Sequence, residues 1–352
     1  MAKPLGQRGG GALDGEELAR LSSAHLVLVP IDTDPELVDR MVRYRSHHAR
    51  LLETGSGWLA RSSSITGPYP LSARDAAALH VPEHWQLTYA VHSPVERDPR
   101  AFEDIGDPQL RAWWMRAFPT GKPFREEGDA VDFAIALARH LGGAFRPAGG
   151  TFTLVPDPHR GVDLTVWSTL PLGPDAMLLV VQPVLHNARL QGPEQPDWRV
   201  HSALTDTTPW TVDVDDPATL DVAEALSEER RAEVEHVSQQ HDAHALAADE
   251  GLDGYAITGR DDVLLEAMAE DAVPSWVEQR LGAASTDLVV TFAVRWLPAN
   301  LTLLEAEELS PILRREREHA RERVRTVTKA VAEAVSGVIM DDEGFEVDRY
   351  SL

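Results

Sequence analysis

The chain contains no cysteine, which excludes disulfide bonds, thiolate nucleophiles and zinc–thiolate sites together. It is also poor in positive charge. Thirty-three Lys and Arg residues stand against fifty-seven Asp and Glu, a net charge of −24 over 352 residues. Such a balance repels phosphate backbones and anionic membrane surfaces, so neither nucleic acid nor a membrane is an expected partner. Apolar runs are short: Ala176 to Val181 falls far below the ~20 residues that span a bilayer. Met1 to Ala12 is Gly-rich and polar, without the apolar centre of a secretory signal. A soluble, cytoplasmic protein is the expectation.

Short catalytic motifs are missing as well. There is no Gly-x-Ser-x-Gly elbow, and Gly55-Ser56-Gly57 sits in a segment with no strand feeding it. Thr120-Gly121-Lys122-Pro123 places a proline where a phosphate loop carries its hydroxyl, and no Gly-Lys-Ser/Thr follows Gly9 to Gly11. The strand pattern does not alternate as a doubly wound sheet would, and no dinucleotide fingerprint is present. No cofactor is therefore expected, and the balance leans away from an enzyme.

What the chain does have is helix punctuation. Ser310 and Pro311 form an N-cap and first-position pair, and Gly337 stands where a left-handed residue would stop the helix. Between them Leu313, Ala320, Val324, Val327, Val331, Ala334 and Val338 make one apolar stripe at three- and four-residue steps, broken only by Arg317. Ser310 to Gly337 reads as a long helix docked on a sheet. The alternative is a homodimer seam, since the stripe keeps heptad spacing for about three and a half repeats; the expectation is a monomer or a homodimer through this helix.

Asp34-Pro35 repeats the punctuation and opens a helix to about Glu53. His25 to Pro30, Gln86 to Val91, Thr151 to Val155, Asp163 to Leu170 and Met177 to Val181 read as strands, the last three spaced as an antiparallel meander. Asp129 caps a helix over Ala130 to Leu141. Past a proline-broken linker at His186 to Trp198 come strands at Val200 to Thr205, Trp210 to Val214, Gly254 to Thr258 and Asp287 to Leu297. Helices open at Asp216-Pro217 and over Asp261 to Leu281, the latter interrupted at Pro274.

These elements predict an α+β fold of two lobes, each with helices packed on a mainly antiparallel sheet, ending in the long helix. The expected division is a disordered tail over residues 1–14, an N-terminal lobe over 15–190 and a C-terminal lobe over 199–352. Arg139 to Ala144 before Asp163-Leu164, and Arg280 to Ala284 before Asp287-Leu288, each follow a strand with a Tyr-Ala pair (Tyr89-Ala90, Tyr255-Ala256). That similarity suggests an internal duplication; common helix-terminating chemistry is the simpler source.

Three groups could carry chemistry. Asp157-Pro158-His159-Arg160-Gly161 is a turn offering His159 and Arg160, with Asp163 just beyond, a set able to orient a small anionic ligand; ordinary turn composition accounts for it equally. Arg40, Arg43, His47 and Arg50 form a basic arc that could meet an anion or an acidic partner, or simply a solvated face. His241 and His244, three residues apart, could share a metal ion, against a plain polar helix face. The expected function is a non-catalytic protein-interaction or accessory role, with a protein partner. The rival is a small-molecule-binding protein or enzyme with its site between the lobes.

Overall fold

The computed structural model describes residues 13–46, 49–103, 105, 108–191, 254–259, 262–283, 288–299, 302–306 and 309–352. Two antiparallel sheets, each faced by helices, make an α+β protein ending in a long helix and a hairpin.

The first layer is built from β1 (His25–Val29), β2 (Ser56–Trp58), β3 (Ser64–Pro70), β4 (Leu87–His92) and β7 (Ala144–Arg146), in the order β2-β3-β4-β1-β7. β1 lies inside the sheet between β4 and β7, and all five of its residues are buried. Helices α1 (Gly15–Ser22) and α4 (Ala73–Ala78) cover one face; α2 (Pro35–Arg45), α3 (Leu51–Thr54), α5 (Pro108–Ala117) and α6 (Arg125–His140) lie on the other. A two-stranded ribbon, β5 (Arg97–Asp98) with β6 (Lys122–Pro123), leads into α6. Asp34 caps α2 as its spacing predicts, its carboxylate accepting from the Glu36 N–H at 2.9 Å. Asp129, by contrast, lies inside α6, which starts four residues earlier with Phe124 at its N-cap.

The second layer contains β8 (Leu164–Ser168), β9 (Arg189–Leu190), β10 (Tyr255–Thr258), β11 (Val263–Glu270), β12 (Val289–Trp296), β13 (Val338–Asp341) and β14 (Glu346–Val347). Their order is β14-β13-β8-β12-β11-β10-β9. Two of these strands, β8 and β9, precede residue 199, so the division between sheets falls between β7 and β8. The layer also holds α7 (Pro174–Val181), α8 (Ser275–Leu281), α9 (Thr302–Glu305) and α10 (Pro311–Val335).

Several elements differ from their sequence patterns. Met177 to Val181 lies within helix α7, opened by Pro174; an apolar run alone cannot separate a buried strand from a helix. Residues 263–270, rich in Leu, Ala, Met and Glu, form strand β11 because pairing with β10 and β12 overrides helix propensity. Thr151 to Val155 contributes a single bridge, Leu154 to Phe145. The expected strands at 200–205 and 210–214 lie outside the described residues. The repeat finds no support in topology: β4 and β8 lie in different sheets, whereas β10 and β12 share one with β11 between them.

α10 lays Ala320, Val324, Val327, Val331, Ala332 and Val335 against β8 and β12, all within one enclosed core. Of the stripe, Ala320, Val324, Val327 and Val331 are thus covered by the chain's own sheet, whereas Ala334 is exposed and Val338 belongs to β13. Ser336, not Gly337, takes the left-handed position (φ 51°). Gly337 is required for another reason, since a Cβ there would lie 2.4 Å from Val166 Cγ1 and 2.8 Å from the Trp167 carbonyl. The hairpin that follows sends Phe345 into the first layer's core, where its ring lies 4.7 Å from His140 and 6.2 Å from Phe133.

Candidate functional site

The connector between β7 and β8 is where the two layers and α10 meet. Asp157 orders its turn by accepting the His159 N–H at 3.0 Å. Its other carboxylate oxygen accepts from Arg317 Nη1 at 2.9 Å. Its backbone carbonyl takes a bond from Arg139 Nε at 3.1 Å. Arg317, the residue that interrupts the apolar stripe of α10, is fully buried. It spends its remaining donors on the carbonyls of Leu303 at 2.7 Å and Ala306 at 2.9 Å. A guanidinium out of water is tolerable only when its fork of donors is met in this way.

Around this anchor the three residues singled out in the turn separate. The His159 Nδ1 lies 2.9 Å from Arg321 Nη1, which also donates to the Pro158 carbonyl at 3.2 Å. Arginine can only donate, so Nδ1 is the acceptor and the ring N–H sits on Nε2. That nitrogen faces Glu318, 3.8 Å from Oε1. Arg160 acts instead on Asp132 of α6 and Asp342 of the β13–β14 turn. Burial pushes both carboxyls up, Asp342 to about 6, and Arg160 opposes that rise in each. Both side chains are exposed to solvent, and this contact with water tempers the upward push. Asp163 accepts the Trp296 N–H at 2.9 Å and is raised to about 7, chiefly by burial and further by Asp342.

A groove of about 450 Å³ opens beside His159. Val155, Pro156, Asp157, Pro158 and His159 form one wall; Leu309, Arg314 and Glu318 form the other, from the start of α10. Of the residues anticipated from sequence, only His159 lines it. Leu309, Arg314 and Glu318 carry no sequence motif, and the single hint is the charged interruption at Arg317, one turn after Arg314 and next to Glu318. A much smaller cavity of about 10 Å³ beside Arg45, Glu126 and Asp129 has room for about one water.

The helix expected from Asp34 to about Glu53 is two, α2 ending at Arg45 and α3 opening after Arg50, so the basic arc does not lie on one helix. Arg43 is paired with Asp39 at 2.8 Å, Arg50 donates to the Ala49 carbonyl at 2.8 Å, and Arg40 influences Tyr44. His47, His241 and His244 lie outside the described residues. Among the described residues, no group of three or more His, Asp or Glu could hold a metal ion, and no helix is long and apolar enough to cross a membrane.

Fold and groove together define an α+β protein of two antiparallel layers with a concavity where the connector meets the long helix. No protein-family model, curated protein or solved structure matches the chain.

Proposed function

We propose that the protein works by binding a small molecule in the groove beside His159, without catalysing a reaction on it. One observation carries this assignment: two separate elements converge on a concavity of about 450 Å³, within the ~300–1,000 Å³ usual for small-molecule sites. Its walls mix apolar side chains with three ionisable ones, while Asp157 beneath them is committed to Arg317 and to its own turn. That commitment favours a rigid receptor over a reactive centre. The net charge of −24 fits a soluble cytoplasmic setting without nucleic acid or membrane partners. A metabolite panel scored by melting temperature tests the assignment: a ligand at a hundred times its dissociation constant adds ~2.7 kcal/mol. Val155→Trp, at an exposed position on the groove wall, should abolish that shift while leaving the unliganded protein folded.

A second reading, an accessory protein that meets a protein partner, rests on the exposure of Ile312 (77%) and Val155 (62%). Large apolar side chains left in water near a groove are a feature of contact surfaces. A flat metabolite panel, with a partner cross-linked by the wild type and lost on Ile312→Asp, would favour it.

A further inference from the structure

We infer that the occupant of this groove is a zwitterion bearing an apolar side group, the chemistry of an amino acid or a short peptide. The inference rests on the groove being the binding site and concerns only what fills it. Arg314 and Glu318 stand four residues apart on α10, a spacing at which opposite charges can meet, with Cβ atoms ~5–6 Å apart. Here they do not pair, although both line the same wall. Among the described residues Arg314 has no ion pair, and Glu318 comes no nearer to a basic nitrogen than 3.8 Å, at His159.

The wall thus presents one positive and one negative group that are unpaired with each other. A simple anion gains from Arg314 and is repelled by Glu318; a simple cation meets the reverse. A molecule carrying both signs satisfies the two together. The His159 ring, fixed in place by Arg321 at Nδ1, lines the same groove and turns its Nε2 towards Glu318 at 3.8 Å. Val155, Pro156, Pro158 and Leu309 supply the surface for an apolar side group. The overall charge of −24 further disfavours a ligand that is only anionic.

Calorimetry on the full chain tests this with L-leucine, L-leucyl-L-leucine and L-leucyl-L-leucyl-L-leucine as zwitterions. N-acetyl-L-leucine serves as the anion and L-leucinamide as the cation. At least one zwitterion should bind, with both blocked compounds at least tenfold weaker. Arg314→Gln should weaken the zwitterion at least tenfold while leucinamide, relieved of a repulsion, binds at least as tightly, and Glu318→Gln should weaken the zwitterion likewise while N-acetyl-leucine binds at least as tightly. Both positions reach solvent, so the variants keep their fold. If a blocked compound binds as tightly as the zwitterions and is lost on Val155→Trp, the groove stands and the zwitterion is wrong. The same holds if none of the five binds but another metabolite does. If no compound of any class binds, the groove assignment itself has failed.

Discussion

Arg317 Nη1 lies 2.9 Å from Asp157 Oδ2, and both side chains are shut away from water. One partner belongs to the long helix and the other to the connector between layers, so this pair fixes the groove's two walls relative to one another. Breaking such a pair from one side leaves a charge buried without compensation, at a cost of ~3–5 kcal/mol. Asp157→Ala should therefore lower unfolding free energy by about that amount in a urea titration. Arg317→Lys should also be destabilising, because a single ammonium cannot serve the carboxylate and two carbonyls that the guanidinium fork reaches.

Asp163 makes the stability of the second layer depend on pH. Its folded value, about 7, lies above the ~3.9 of an unfolded aspartate, so the folded chain holds the proton more tightly. The resulting stability is fully present below pH ~4 and is lost as the pH rises towards and through 7. Asp163→Asn keeps an oxygen to accept the Trp296 N–H and removes the ionisation. The variant should match the wild type near pH 4 and exceed it at pH 8 by on the order of 1–3 kcal/mol. Melting curves across that range would show this as a flatter profile; an unchanged slope would rule the residue out as its source.

Val327 is buried between α10 and the sheet. Val327→Asp should unfold the second layer, since a carboxylate placed there has no partner and costs several kcal/mol. Circular dichroism would register the loss at any protein concentration. A folded variant that merely changed mass in light scattering would mean that the stripe faces another molecule.

Phe345→Ala should cost ~3–5 kcal/mol, though the residue sits in a hairpin turn near the end of the chain. The sign that it acts across the layers is where protection is lost. Hydrogen exchange should accelerate in α6, around Phe133 and His140, as well as in β13.

Much of the fold was legible from periodicity and punctuation. Asp34 and Ser310 cap the helices that their spacing predicts, and β1, β4, β10 and β12 fall within a residue or two of their apolar runs. The misses share a cause. Residues 177–181 and 263–270 carry local patterns that suit either state, and only their neighbours in the folded chain decide between helix and strand. The groove was less legible, because its walls are 150 residues apart and carry no shared motif. His159 was noticed for its residue type; Arg314 and Glu318 looked like any charged pair on a helix surface. Arg317 was visible as an interruption of the stripe, but its meaning depended on Asp157, which no spacing rule connects to it.

Phe345 also imposes an order on biosynthesis. The first layer contains every strand of its sheet by residue 146, yet the aromatic ring that fills the space beside Phe133 emerges from the ribosome about two hundred residues later. Until then a nascent chain carries that opening, and any chaperone or protease that recognises greasy gaps has a target throughout synthesis of the second half.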